Sequence, residues 1–154
     1  MRNDSRIFKA KKNHIQIMEN FQKENLNFFE NNIWYADELE NFIVYKQNLI
    51  LIALLKKKIV GLSIFIQVGN NMEIYSIFVS PSSRSKKIGS NFIDKAVLFC
   101  KKNKIPKIFL EVNENNKRAI SFYKNHNFRI CGSRKGYYNK AEKNENAVLM
   151  ELLV

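Results

Sequence analysis

Short apolar runs dominate the middle of the chain. Residues 49–55 are almost continuously apolar, and residues 60–68 and 72–79 are rich in β-branched and aromatic side chains, which favour strands. A lysine-rich segment separates the first two runs, and Gly69-Asn70-Asn71 separates the second from the third. The pattern predicts three consecutive antiparallel strands joined by short turns.

Helical spacing, with apolar residues three or four positions apart, appears on both sides of these strands. It predicts helices over residues 14–26 and 34–45, from Ile88 to Cys100, and after Asn115 or Asn116, either of which can cap a helix. The remaining periodic segments read as strands: residues 7–10, weakly, then 107–112, 128–138 and 147–153. Asn127 precedes the first closing strand and tolerates the left-handed backbone that ends many helices.

Length and charge bound the function. The 154 residues are enough for one domain with a buried core, and we expect residues 1–154 to form that domain. With 26 Lys and Arg against 14 Asp and Glu, the net charge of +12 favours anionic partners such as nucleic acid, a nucleotide cofactor or a ribosomal surface. Lysine, asparagine and isoleucine are abundant throughout, however, as AT-rich coding produces, and the basic residues are not interleaved with aromatic ones as in single-strand binders.

Other features argue against membranes and metals. The first dozen residues are polar, so we expect no signal peptide, and residues 49–55 are too short to span a bilayer. Cys100 and Cys131 form no disulfide framework, and free thiols suit a reducing cytoplasm. His14 and His126 have no partner at ligand spacing. We therefore expect a cytoplasmic protein with no membrane association and no metal.

The segment from Glu73 to Cys100 combines a strand, a basic loop and a helix. Pro81 ends the strand, because proline cannot donate to a ladder. The helix that follows presents free N–H groups and a partial positive charge at its start, and Arg84, Lys86 and Lys87 add full charges. This arrangement predicts a site for a phosphate or pyrophosphate group.

Two motifs resemble those of the GNAT N-acetyltransferase family. The pyrophosphate loop of that family resembles Val79-Ser80-Pro81-x-x-Arg84-x-x-Lys87-x-Gly89. Its closing motif resembles Leu110-Glu111-Val112, followed by Asn116, Ala119-Ile120, Tyr123 and Phe128. Within the family, the chain is most similar to the RimI-type ribosomal-protein-alanine N-acetyltransferases, also at Arg134 and Tyr137-Tyr138. The resemblance is strong from about Met72 to Val154, and Trp34 is its main sign before that.

The resemblance implies a fold and a co-substrate. The fold is α/β (α+β), the GNAT acyl-CoA N-acyltransferase fold, a mixed, mostly antiparallel sheet of about seven strands flanked by about four helices. The co-substrate is acetyl-CoA, whose pantetheine arm would pair with the strand before the loop and whose pyrophosphate would lie on the loop. The implied binding residues are Ile77, Phe78, Val79, Arg84, Ser85, Lys86, Lys87, Ile88, Gly89, Ser90, Asn116 and Tyr123.

Four positions depart from the family pattern. Ser85, Lys87 and Asn127 stand where glycine is common, and Asn113 stands where arginine is common. Glycine lets a backbone approach a phosphate closely, so Lys87 either strains that approach or replaces it with a charge. None of these departures removes a catalytic group.

Glu111 and Tyr123 are the candidate catalytic residues. Forming an amide from a thioester needs a neutral amine, a polarised carbonyl and a protonated leaving thiolate. Glu111 lies between apolar neighbours, where desolvation is expected to raise its pKa so that it takes the ammonium proton, and Tyr123 is placed to donate to the sulfur. A solvated strand glutamate and a core tyrosine are the structural alternatives, and the phosphate loop favours the catalytic interpretation over them.

Two classes of function follow. In the first, the protein is an acetyltransferase, and the resemblance implies that its acceptor is a peptide or protein N-terminus, the terminal alanine of a ribosomal protein. A small-molecule amine, such as an aminoglycoside or polyamine, is the runner-up acceptor. In the second, the same fold is a basic module without turnover that docks on RNA or the ribosome. Tyr137 and Tyr138 are either strand aromatics or part of an acceptor groove.

Overall fold

The computed structural model describes residues 5–29, 33–140 and 143–154. Within these ranges the chain forms seven strands and five α-helices. The strands are β1 (Arg6–Lys9), β2 (Leu49–Leu55), β3 (Lys58–Val68), β4 (Asn71–Val79), β5 (Lys107–Asn113), β6 (Arg129–Lys140) and β7 (Lys143–Leu153). The α-helices are α1 (Ile15–Glu24), α2 (Leu26–Phe29), α3 (Ala36–Val44), α4 (Ile88–Lys102) and α5 (Lys117–Asn125).

The strands form one mixed sheet in the order β1-β2-β3-β4-β5-β7-β6. The pairs β1–β2, β2–β3, β5–β7 and β6–β7 are antiparallel, whereas β4 and β5 are parallel. The parallel register joins Met72 to Ile108 and Glu73 to Phe109. The fold class is therefore confirmed, and β4 and β5 are neighbours in the sheet.

The contacts divide the chain into two compact units. Unit 1 comprises Met1–Ile66 and Tyr75–Ala96, and unit 2 comprises Gln67–Ile74 and Val97–Val154. The expectation of a single domain over residues 1–154 stays a prediction. None of the helices in the described ranges is both long enough and apolar enough to cross a bilayer.

Unit 1 has an aliphatic and aromatic core beneath its helices. Phe78 of β4 is buried there, and its ring centroid lies 4.2 Å from that of Phe28, 5.0 Å from that of Phe29 and 5.6 Å from that of Phe21. Such ring pairs stabilise beyond the area they bury. The side chain of Phe78 is thus committed to the core, which leaves its backbone for any ligand.

In unit 2, buried and partly exposed side chains alternate strictly along β5. Ile108, Leu110 and Val112 are buried, whereas Phe109 and Glu111 are only partly so. Hydrogen bonding to β7 runs the full length of β5, from Lys107–Leu153 to Asn113–Ala147. The predicted alternation is confirmed, and one face of β5 is left for polar chemistry.

The sequence patterns locate most elements within a few residues. The first predicted helix is divided into α1 and the single turn α2, and a 3₁₀ turn at Lys12–His14 precedes it. The turn between β2 and β3 is tighter than expected, because Lys56 and Lys57 adopt left-handed φ angles of 48° and 66°. Asn127 has φ 65°, as its position after α5 predicted.

Asn116, one of the two expected capping residues, forms the N-cap of α5. Its Oδ1 accepts a hydrogen bond of 3.1 Å from the N–H of Ala119. We predict that Asn116→Ala lowers the free energy of unfolding by about 1 kcal/mol, because the N–H loses its acceptor. Chemical denaturation measures this loss. Asn115→Ala is the matched control, and equal destabilisation by both variants would contradict the assignment.

Candidate functional site

The loop after β4 lies entirely within unit 1 and leads into α4. Pro81–Ser83 forms a 3₁₀ turn, and Nε of Arg84 donates back to the carbonyl oxygen of Val79 at 3.2 Å. The half-buried Arg84 is thereby fixed against the end of β4. Its charge stands where the sequence predicts a phosphate group.

Two residues of this loop adopt backbone conformations that favour glycine. Ser85 has φ 64° and Lys87 has φ 59°, at two positions where the family commonly has glycine. A non-glycine residue in this region is disfavoured by roughly 1–2 kcal/mol. Such strain tends to persist where the backbone clamps a ligand. The loop therefore has the backbone conformation that glycine favours, although Ser85 and Lys87 stand at these two positions.

The start of α4 supplies the rest of an anion site. The carbonyl of Lys87 accepts the first helical bond, from Asn91 at 2.9 Å, so Lys87 is at the N-cap position. The first N–H groups of a 15-residue helix lie just beyond it, and they have no partner within the helix. Arg84, Lys86 and Lys87 carry positive charge beside them. This donor set fits a pyrophosphate group.

An open cavity of about 490 Å³ lies next to this loop in unit 1. Two loop residues, Pro81 and Arg84, line it together with Phe78. Residues from Lys23 to Phe28, at the end of α1 and in α2, complete the lining. The groove therefore joins the loop to the first helices, where sequence analysis found no site residue.

Glu111 lies on the polar face of β5 in unit 2. Its side chain is only 14% exposed, and its Oε1 lies 3.2 Å from Nη2 of Arg134 on β6. The sequence placed Glu111 between apolar neighbours and indicated no charged partner. The structure instead gives Glu111 a positively charged partner.

Glu73 is a further carboxylate that sequence analysis did not single out. It pairs with Phe109 across the parallel register, so it lies on the same sheet face as Glu111. Burial raises the pKa of Glu73, the negative charge of Glu111 raises it further, and Arg134 acts in the opposite direction. Two carboxylates and one guanidinium therefore form a coupled cluster.

Tyr123 lies in α5 between two aromatic rings. Its ring centroid is 5.2 Å from that of Phe122 and 5.4 Å from that of Phe128. Burial raises the pKa of its hydroxyl, which therefore stays protonated at neutral pH. Asn116, the other predicted side chain of this region, is occupied as the cap of the same helix.

The structure thus groups the predicted residues by unit. Unit 1 holds Ile77 to Val79 and the loop residues from Arg84 to Ser90, whereas unit 2 holds Glu111, Asn116 and Tyr123. The side chain of Tyr138 lies outside the described residues, and Tyr137 is exposed beside Arg134. Over the described ranges, no three His, Cys, Asp or Glu side chains gather as a metal would need.

Sequence comparisons match most of the chain to one family. A sequence model described as the Acetyltransferase (GNAT) family matches residues 15–128. An uncharacterised N-acetyltransferase of Methanocaldococcus jannaschii is 37% identical over 71 residues, which are 46% of this chain and 31% of that protein. The matched part is thus less than a third of that curated relative's length.

Solved structures share the fold. The ribosomal-protein-S18-alanine N-acetyltransferase of Escherichia coli superposes with a TM-score of 0.81 at 17% identity, over 97% of this chain and 94% of that one. A Bacillus anthracis protein, proposed to be a streptothricin acetyltransferase and solved with acetyl coenzyme A, gives 0.70 at 28% identity, over 74% and 66%. At 17% identity the first likeness concerns the fold alone.

The left-handed lysine at the start of α4 generates a prediction. Lys87→Gly should raise the free energy of unfolding by about 0.5 kcal/mol, because relief of strain exceeds the extra entropy of an unfolded glycine. It should also make acetyl-CoA binding less dependent on salt, because one cation is lost. Calorimetry at two ionic strengths measures the second effect.

Lys57→Gly is the matched control, because Lys57 has the same backbone strain in a turn remote in sequence from the loop. It should stabilise the fold and leave the salt dependence of acetyl-CoA binding unchanged. An unchanged salt dependence in Lys87→Gly as well would remove Lys87 from the anion site.

Proposed function

This chain belongs to the GNAT acetyltransferase family, and we propose that it moves an acetyl group from acetyl-CoA to a primary amine. The observation that carries the proposal is a carboxylate, Glu111, held nearly buried on the polar face of β5 within a charged cluster. Such a group is suited to take a proton from an ammonium. The basic loop before α4 supplies the corresponding anion site.

The co-substrate, acetyl-CoA, is proposed to be bound by backbone groups of the protein more than by its side chains. The N–H groups from Ser85 to Ser90 hold the pyrophosphate, and Arg84, Lys86 and Lys87 add charge. The backbone of Ile77 to Val79 pairs with the pantetheine arm as another strand would. The side chain of Phe78 is buried in the core of unit 1, so Phe78 is proposed to contact the arm only through its backbone. Asn116 is proposed to bond the arm through the part of its amide that the helix cap does not use.

Glu111 is proposed as the general base. Its Oε1 is held 3.2 Å from Nη2 of Arg134, which fixes the carboxylate on the polar face of β5. The proton comes from the acceptor's ammonium, directly or through water, and the neutral amine then attacks the thioester carbon. Glu73 lies in the same cluster and gives the proton a second carboxylate to move to.

Tyr123 is proposed to stabilise the departing sulfur. Burial raises the pKa of its hydroxyl, so the group is protonated and able to donate. The same raised pKa disfavours a lasting tyrosinate, so the hydroxyl acts chiefly as a hydrogen-bond donor to the developing thiolate.

Direct attack, without an acyl-enzyme, is supported by the state of the cysteines. Burial raises the pKa of Cys100 to about 11, which leaves a thiol and not the nucleophilic thiolate. The pKa of Cys131 is also raised, first by burial and then by the charge of Glu151. Neither residue is activated for acyl transfer.

The acceptor is proposed to be a peptide N-terminus beginning with alanine, on a ribosomal protein. The sequence resemblance to RimI-type enzymes supports it, and the fold shared with the Escherichia coli enzyme is consistent with it. A small-molecule amine is the second candidate, because the Bacillus anthracis neighbour is proposed to be a streptothricin acetyltransferase. A basic RNA-binding module without turnover is the third, and the net charge of +12 is its support.

The catalytic roles predict different kinetic losses. Glu111→Gln should lower the transfer rate about 100-fold, most strongly at low pH where the amine is protonated. Tyr123→Phe should lower kcat about 10-fold or more with little change in acetyl-CoA binding, because the hydroxyl acts on charge that develops during reaction. Thiol release measures the rates, and calorimetry measures the binding.

Two matched variants control for these changes. Glu40 also carries an ion pair, with Lys12 at 2.6 Å, and Tyr45 is exposed, so Glu40→Gln and Tyr45→Phe should keep wild-type rates. Full activity in the Glu111→Gln, Tyr123→Phe double variant, or an acetyl-cysteine trapped during turnover, would overturn the mechanism.

An acceptor panel separates the candidate functions. With acetyl-CoA present, we expect a peptide beginning with alanine to release thiol at a kcat/KM at least about 10-fold above that of a polyamine, an aminoglycoside or streptothricin. Comparable rates on peptide and polyamine would refute the acceptor assignment and leave the chemistry in place. No turnover, together with thermal stabilisation by RNA and none by acetyl-CoA, would favour the binding module.

A further inference from the structure

Arg134 reaches Glu111 across the strand that separates them. On β7, the residue opposite Arg134 is Ala147, and the residue opposite Ala147 on β5 is Asn113. Residues directly opposite in an antiparallel pair share a sheet face. Because Ala147 is small and fully buried, it leaves a path over β7 along which the guanidinium comes within 3.2 Å of Glu111.

A bulge in β6 places an aromatic ring beside the same guanidinium. Arg134 and Tyr137 are three positions apart, so a regular strand would put them on opposite faces. The register of β6 shifts between Arg134 and Tyr138, and Gly136 has φ 64°. The N–H of Gly136 donates to Oδ1 of Asn146 at 3.0 Å, which fixes the bulge. As a result, Cζ of Arg134 lies 5.7 Å from the Tyr137 ring centroid.

The charges on this face do not balance around Arg134. Glu73 and Glu111 provide two carboxylates, and Arg134 pairs with Glu111 and also acts on Glu73. Burial and the charge of Glu111 raise the pKa of Glu73, and Arg134 lowers it, so the guanidinium acts on Glu73 as well as pairing with Glu111. In a chain of net charge +12, this is a place where a cation is favoured.

The neighbouring charged groups have partners of their own. Lys107 is paired with Glu151 at 2.6 Å, and the charges of both act on the thiol of Cys131. Glu145 accepts a hydrogen bond from Asn113, Arg129 lies opposite Glu151, and Tyr123 is protonated. None of these groups substitutes for Arg134 beside Glu111.

We propose that Arg134 is a resident counter-ion of Glu111 that the ammonium group of the acceptor replaces on binding. The inference rests on the proposed function, since it concerns the same carboxylate and the same acceptor. The guanidinium is 58% exposed and rests against a ring, so it can move aside without entering the core. While in place it lowers the pKa of Glu73 and occupies the position beside Glu111 that another cation would take. Arg134 is therefore a positioning residue that sets which amines reach the base.

The proposal gives Arg134→Gln two opposite effects. Above the acid limb of the pH profile, the KM for an alanine peptide should fall about threefold, because the exposed guanidinium no longer competes with the ammonium for Glu111. The acid limb of kcat/KM should move to higher pH, because Arg134 lowers the pKa of Glu73 and its removal lets that pKa rise. If Arg134 had only a structural role, Arg134→Gln would raise KM and would not move the acid limb of kcat/KM.

A binding measurement makes the test independent of turnover. With CoA in place of acetyl-CoA, calorimetry should find the alanine peptide bound about threefold more tightly by Arg134→Gln than by the wild type. The same peptide with an acetylated N-terminus has no ammonium and should bind both proteins equally. Arg134→Lys retains the charge and should behave as the wild type, which also controls for a loss of folding in the glutamine variant.

Arg129→Gln is the matched charge control. It removes one arginine from the same strand, and it should change neither the KM nor the acid limb. Unchanged or weaker peptide binding by Arg134→Gln, or an equal gain for the acetylated peptide, would overturn the exchange. A wild type that acetylates no amine of the panel would refute the proposed function instead, while the calorimetric comparison still decides the role of Arg134.

Discussion

The register of β5 is the constraint on which unit 2 depends. This strand pairs along its whole length with β7 and is parallel to β4 at Met72 and Glu73. Because side chains alternate, a slip of one residue would move Glu111 into the core and bring Ile108, Leu110 and Val112 to the polar face. Burial of those three residues therefore holds the carboxylate in place, and the chemistry of the face depends on packing behind the sheet.

Backbone strain has a comparable role in unit 1. The loop before α4 follows a path that glycine would adopt more easily, with Ser85 and Lys87 both at positive φ. The core around Phe78 and the bond from Arg84 to Val79 fix one end of the loop, and the 15-residue helix α4 fixes the other. Rigid elements on both sides maintain the strained turn, and this is the condition under which N–H groups stay directed at one anion.

Local patterns in the sequence account for much of this architecture. Periodicity located the strands of the sheet, the alternation of β5 and the helix that begins at Ile88, because each depends on residues close together in the chain. The capping asparagine and the left-handed Asn127 were also predictable, since both follow from short-range backbone chemistry. The turn α2 was not separated from α1, because both carry the same apolar spacing.

The partners of Glu111 could not be predicted in the same way. Arg134 lies near Glu111 because of the register of two strand pairs, β5–β7 and β6–β7, and because Ala147 between them is small. Glu73 lies near Glu111 because of the parallel register of β4 and β5. The bulge at Gly136 could not be predicted from the sequence either, because it depends on Asn146 in the next strand. Each of these contacts joins segments that are distant in sequence, so no local pattern reports them. The sequence therefore indicated the apolar neighbours of Glu111 along β5 but neither of its charged neighbours across the sheet.

The strand order also has a consequence for how the protein is made. β7 follows β6 in the chain but lies between β5 and β6 in the sheet, so β6 has no place there until β7 has been synthesised. A nascent chain that ends before residue 143 contains both Glu111 and Arg134 but lacks the strand that brings them together. Until the ribosome has translated β7, the edge of β5 that pairs with it is open and available to chaperones or to other chains. The charged cluster is thus completed late in synthesis, although its two carboxylates and its guanidinium are all translated before β7.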